Sequence, residues 1–175
     1  MLGARLALLA SRYPERGLPA DVPSLLDAAL AQATDGATSF AELDTLDLGS
    51  FVVAGLPGDA RRLLDEETPE RVRLAGGRTL EVHYELGKPP WIESRLQDFF
   101  GSGDGPRILR GSLPLTLHLC APNQRAVQVT SDLAGFWERH YPTIRRELMR
   151  RYPRQSWPED GRSAVPPPPP QPRRR

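Results

Sequence analysis

The residues best suited to chemistry in this chain are arginines. Arg145, Arg146 and Arg150 lie within about one helical turn of each other in the run PTIRRELMRRYPR, with Arg151 and Arg154 beyond. Guanidinium groups so spaced can track a phosphate backbone, each contact adding to a salt-dependent affinity. Tyr152 and Trp157 stand close enough in sequence to stack on bases. The same residues also suit a plainer role, with arginine stems covering a core and the two aromatic rings packing a helix end. Lys88 is the only lysine, so the arginine preference runs through the whole chain and does not by itself mark a site. Net charge is +1, which excludes a general polycation, although Arg139 to Arg154 is locally basic.

Other chemistries lack their parts. A nucleotide site needs a glycine loop with Lys and Ser/Thr, so that backbone amides and an ammonium cradle the phosphates. Gly101-Ser102-Gly103-Asp104-Gly105 is glycine-rich but has no such Lys and reads as a helix stop. Asp65-Glu66-Glu67 has no apolar strand before it and no His after it, so it is not a helicase DExH box. His83, His118 and His140 are far apart, and a metal site would require them to converge with a carboxylate. No turn marks a strained nucleophile. The sequence therefore predicts no catalytic residues, no metal ligands and no bound cofactor. Cys120 is the only cysteine, which leaves no disulfide framework and fits a reducing cytoplasm. The opening MLGARLALLASRY reads as an amphipathic helix rather than a signal peptide, and no stretch approaches membrane-spanning length.

The elements that must position the arginines are legible as periods. Val127 and Val129 alternate with Gln128 and Thr130, as in a strand. Leu133, Phe136, Trp137, Tyr141, Ile144 and Leu148 then fall at spacings of three and four, on one helix face. Thr130 or Ser131 can cap that helix, and Asp132 suits its positive end. Pro142 implies either a kink or a second helix starting there. Tyr152-Pro153 ends the run. Phe136, Trp137 and Trp91 are assigned to the core.

Upstream, Leu2 to Tyr13 reads as a helix with Leu2, Leu6 and Leu9 on one face, and Pro14 to Pro23 as a linker. Ser24 caps a second helix that Asp35-Gly36 breaks. Further short helices are expected at Ser39 to Leu46 and Asp59 to Glu66, while Ser50 to Leu56 fits helix or strand. From Arg71 the period is two. A turn at Ala75 to Arg78 closes a hairpin, and Leu80, Val82 and Tyr84 point one way. Trp91 to Phe100 is expected as a helix, Leu113 to Cys120 as a third strand and Ala126 to Thr130 as a fourth. The expected class is α+β: short N-terminal helices, then a small, mainly antiparallel sheet with packed helices in the order β-β-α-β-β-α, then a disordered tail. The expected parts are 1–69, 70–160 and a Pro/Arg tail over 161–175. That tail suits a proline-binding groove or a nonspecific RNA contact.

Several motifs occur in an order that resembles a known family. RLQDFFG (Arg95 to Gly101), the Pro-Leu-x-Leu-x-Leu strand from Pro114, QVTSDLAGFW (Gln128 to Trp137) and RRYPRQSWPED (Arg150 to Asp160) are similar to the C-terminal module of the bacterial HrpB-type DEAH-box ATP-dependent RNA helicases. The likeness is good from about Leu74 to Asp160 and weaker from Arg16 to Pro69. It departs at Gly161, where the family has a proline. By analogy with the family, Ser50 to Leu56 should be helical. The resemblance implies a non-catalytic accessory module whose helicase core lies outside this sequence. It also implies single-stranded RNA, or a helicase core or other protein in trans, as partners; the cytoplasmic expectation rests on the lone Cys120. The candidate RNA contacts are Arg145, Arg146, Arg150, Arg151, Arg154 and Trp157. A docking module without nucleic-acid binding and the split-off end of a helicase encoded upstream are the alternatives.

Overall fold

The structure, a computed structural model, describes residues 1–18, 22–34, 48–56 and 58–168. The chain is α+β and divides into two compact units. One comprises Met1–Thr68 with Tyr84–Lys88, the other Pro69–His83 with Pro89–Arg175. The expected helix at Ser39 to Leu46 and the Arg173 to Arg175 end lie outside the described residues.

The first unit is helical. It holds α1 (Leu2–Arg12), α2 (Val22–Thr34), α3 (Leu48–Gly55) and α4 (Gly58–Glu67). α1 packs on α4, and α2 on α3. Leu6 and Leu9 of α1 are buried, as their spacing predicts, with Ala60, Leu63 and Leu64 of α4. Arg5 is buried beside them. Its Nε donates to the Thr68 carbonyl at 2.7 Å and its Nη2 to the Leu64 carbonyl at 3.0 Å. The guanidinium thus adds donors to carbonyls at the C-terminal end of α4, where helical donors run out; Thr68 Oγ1 donates to the Leu64 carbonyl as well, at 2.8 Å. α2 begins at Val22, so Ser24 lies inside the helix rather than capping it.

The second unit begins with an antiparallel hairpin of β1 (Arg71–Arg73) and β2 (Thr79–Glu81), with Val72 opposite Leu80. Leu74 N–H donates to the Arg78 carbonyl at 2.8 Å, and Gly77 takes the left-handed turn position at φ 82°. The central sheet has β3 (Trp91–Arg95), β6 (Thr116–Cys120) and β7 (Ala126–Thr130), in the order β3-β6-β7. Between β3 and β6 a short hairpin joins β4 (Arg107–Ile108) to β5 (Leu113–Pro114). Its turn carries three successive left-handed residues, Leu109, Arg110 and Gly111.

Here a second expectation changes. Trp91 to Phe100 is not a helix but β3 followed by a 3-10 turn at Leu96–Phe99. β3 runs parallel to β6, with Ile92 against Leu117 and Ser94 against Leu119. The sheet is therefore mixed, and residues 96–115 supply the long crossover that parallel strands need. The strand hides in the sequence because one of its inward positions is polar. Ser94 is buried, and its hydroxyl donates to Asp98 at 2.6 Å. Asp98, also buried, pairs with Arg95 at 3.1 Å and with Arg78 at 3.5 Å. β6 and β7 are antiparallel with a register shift at Leu119/Cys120. Leu117, Leu119 and Cys120 are fully buried, and burial pushes the Cys120 thiol pKa up, with the Glu93 carboxylate adding to it.

The C-terminal pattern resolves into two helices, α5 (Leu133–Arg139) and α6 (Tyr141–Arg151), with Pro142 in the first turn of the second. Asp132 is the cap of α5. Its carboxylate accepts from Gly135 N–H at 2.8 Å and pairs with Arg139 at 2.7 Å. Thr130 Oγ1 instead accepts from Asp132 N–H at 3.0 Å. Phe136, Trp137 and Tyr141 form one ring cluster with Phe100. The packed chain continues past Asp160. Gly161 accepts from Gly101 N–H at 2.9 Å, and a Cβ on Gly161 would sit 2.5 Å from the Trp137 ring. Arg162 donates to the Ala134 carbonyl at 2.9 Å and to Glu138 at 2.7 Å.

Asp98→Ala should lower stability by about 3 kcal/mol in urea unfolding, because it strips a buried hydroxyl and two guanidiniums of their partner. Asp98→Asn, which can still accept from Ser94, should lose less. A pH series tests the cap. The amide of Gly135 and then the Arg139 guanidinium hold the Asp132 carboxyl below its ordinary value of 3.8. A depressed folded pKa contributes stability that is complete above 3.8 and lost as pH falls through the lower folded value. The stability gap between the parent chain and Asp132→Asn should therefore close progressively below that pH.

Candidate nucleic-acid interface

α6 has an inner face of Tyr141 and Leu148, both buried, flanked by the half-buried Ile144 and Arg145. Its outer face carries Thr143, Arg146, Glu147 and Arg150, all exposed. These four and Met149 line an open concavity of about 510 Å³. The sequence-predicted residues divide into two groups on this frame.

Arg145 and Trp157 are architectural. Arg145 Nε donates to the Trp157 carbonyl at 2.8 Å. Trp157 is 6% exposed, and its indole N–H donates to the Tyr152 carbonyl at 3.1 Å. No face of that ring is presented for a base, so the stacking role considered for Trp157 does not fit its position. The bond Tyr141 makes to the Pro158 carbonyl, at 2.8 Å, fixes the same return of the chain. Burial pushes the Tyr141 hydroxyl up to about 12.

Arg146, Arg150, Arg151 and Arg154 are exposed. Among the described residues none of the four has an ion-pair partner within 4.0 Å. Arg146 Nε donates only to the Pro142 carbonyl, at 3.3 Å. Arg151 lies over the Tyr152 ring, 5.7 Å from its centroid. The other arginines near α5 are engaged, Arg139 with Asp132 and Arg162 with Glu138. The outer face and C-terminal end of α6 thus carry a run of four exposed arginines without ion pairs.

His118 Nδ1 lies 3.9 Å from the Glu93 carboxylate, but among the described residues no group of three or more His, Cys, Asp and Glu side chains could hold a metal ion. His83 and His118 stack on opposite sides of Trp91, at 4.0 and 4.4 Å between ring centroids, and His140 is exposed at the α5–α6 junction. Trp91 is therefore half-buried in a ladder on the sheet rather than in the core. Among the described residues no helix is long and apolar enough to cross a membrane.

A family described as ATP-dependent helicase C-terminal, HrpB_C, matches residues 29–161. The chain belongs to the HrpB C-terminal family. Escherichia coli (strain K12) ATP-dependent RNA helicase HrpB is 34% identical over 169 residues, which are 94% of this chain and 21% of that protein. The crystal structure of E. coli DExH-box NTPase HrpB superposes with a TM-score of 0.86 at 33% identity, over 94% of this chain and 21% of that one. A second, of E. coli DEAH/RHA helicase HrpB, gives 0.70 at 32% identity, over 89% and 20%. The chain thus spans about a fifth of the length of its HrpB relatives.

The two groups of residues should separate in unfolding experiments. Trp157→Ala should cost about 3 kcal/mol by opening a cavity at the helix end. Arg146→Ala and Arg150→Ala should each stay within about 0.5 kcal/mol of the parent chain, as exposed substitutions do.

Proposed function

We propose that this chain is a non-catalytic HrpB-type module that contacts the phosphates of single-stranded RNA through the outer face of α6. The observation behind the reading is the set of four exposed, unpaired guanidiniums at Arg146, Arg150, Arg151 and Arg154. A guanidinium bound to a carboxylate of its own must share that partner to meet a phosphate. These four have no ion pair to share. Glu147 lies among them and limits how closely an anionic strand approaches from one side. Ordered phosphate contacts without an indole platform favour binding that is weak and indifferent to sequence. On this reading ATP hydrolysis belongs to a helicase core acting with the module, on the same polypeptide or in trans. The sequence RLQDFFG to WPED builds the module's scaffold rather than a reaction centre.

A second reading is a docking module. In the helical unit Met1, Leu26, Leu30 and Leu86 are exposed, and an apolar groove of about 560 Å³ runs past Leu2, Leu6 and Val52. A groove of that character suits a protein partner such as a helicase core.

Fluorescence anisotropy with a single-stranded oligonucleotide across a salt series separates the two. Each phosphate contact contributes about 0.7 to the slope of log affinity against log salt on single strands. The Arg146→Glu/Arg150→Glu double variant should bind about tenfold more weakly at low salt, with a slope shallower by about 1.4. Equal affinity and slope in parent and variant would remove the RNA reading and leave the docking one.

A further inference from the structure

A second concavity of about 350 Å³ lies in the same unit as α6. Arg95, Gln97, Gln155 and Ser156 supply its polar atoms, and Pro158 and Pro167 are among its apolar walls. Gln97 is 6% exposed, which is unusual for an amide with so few partners. Its Nε2 donates to Gln155 Oε1 at 3.3 Å. Among the described residues neither Gln97 Oε1 nor Gln155 Nε2 has another hydrogen bond within the protein. The two amides are therefore joined head to tail, with one carbonyl oxygen and one NH2 group left without a partner in the protein. That remainder is the same whichever way both amides are turned. An adjacent donor and acceptor is what one edge of a nucleobase presents, and amide side chains meet such edges with paired hydrogen bonds.

Charge at the rim points the same way. The Arg95 guanidinium lines the cavity and shares the single carboxylate of Asp98 with Arg78. Two cations against one anion leave a positive surplus beside the amides. The cavity also adjoins the exposed ridge in sequence, since Arg154 is followed directly by Gln155 and Ser156.

We infer that this pocket takes one nucleotide of single-stranded RNA, its base edge on the Gln97–Gln155 amide pair and its phosphate toward Arg95. The inference rests on the RNA reading of α6 and adds to it a point of base preference. The arginine ridge alone would hold a strand without reading it.

The test is a titration of the ¹⁵N-labelled full chain with each of the four ribonucleoside 5′-monophosphates, with ribose 5-phosphate as the baseless control. Saturable shifts of the Gln97 and Gln155 side-chain amide resonances are expected, larger for one base than for the others and absent with ribose 5-phosphate. Gln155 is exposed, so Gln155→Ala should fold normally. It should abolish those shifts and weaken binding of an oligonucleotide rich in the preferred base about tenfold, with an unchanged salt slope. The Arg146→Glu/Arg150→Glu variant should keep the monophosphate shifts while losing salt slope. Amide resonances that stay in place, or that move equally with ribose 5-phosphate, would overturn the pocket even where RNA still binds. RNA that fails to bind while monophosphates move the amides would overturn the α6 reading and leave the pocket standing.

Discussion

A buried carboxylate keeps its charge at low cost only when it is paired and hydrogen-bonded, and Asp98 sets that condition for the second unit. It accepts from Ser94 at 2.6 Å and holds Arg95 and Arg78. Through Ser94 it binds the inner face of β3, and through Arg78 the loop of the β1–β2 hairpin. It lies within the 3-10 turn and so fixes where β3 stops. That stop decides the rest. It sends Phe99 into the core and places Phe100 against Trp137 and Tyr141. It also leaves Gln97 facing the return of the chain after α6. A solvated carboxylate at this position could do none of these things.

The return of the chain is the second constraint. Tyr141, Arg145 and Trp157 bind backbone carbonyls of residues 152–158, and Gly161 lies flat against the Trp137 ring. Each bond turns a polar group inward to hold main chain. The arginines of α6 that take no part in this work face outward without an ion pair. Architecture and surface charge are thus separated along one helix, and the separation falls between Arg145 and Arg146.

Much of this was legible in the sequence, wherever apolar spacing alone decides burial. Leu6 and Leu9, the Arg71 to Glu81 hairpin, the β6–β7 pair, the Leu133 to Leu148 face and the helix at Asp59 to Glu66 all follow from it, whereas the helix over Ser50 to Leu56 was favoured over a strand only by analogy with the family. The failures come where a polar residue takes an inward place. β3 was masked by Ser94, whose burial depends on Asp98. Arg5 reads as a solvent-facing charge until the carbonyls at the end of α4 are in place beside it. Trp157 and Arg145 have the composition of a binding surface, and only their bonds to main chain show otherwise. Pro142 left two readings open, which the break at His140 decides in favour of a second helix. Asp132, and not Thr130 or Ser131, takes the cap because the cap position depends on a turn that no period encodes. The amide pair of Gln97 and Gln155 spans too much sequence for spacing to suggest it.

Cys120 gives the sheet a built-in clock. It is the only thiol in the chain, fully buried at the register shift between β6 and β7, with its ionisation suppressed by its surroundings. An alkylating reagent cannot reach it while the strands are closed, and a protonated thiol is a poor nucleophile in any case. Modification must wait for the end of β6 to part from its neighbours. The rate at which the thiol is consumed therefore counts openings of this edge of the sheet one molecule at a time, without a label added anywhere else.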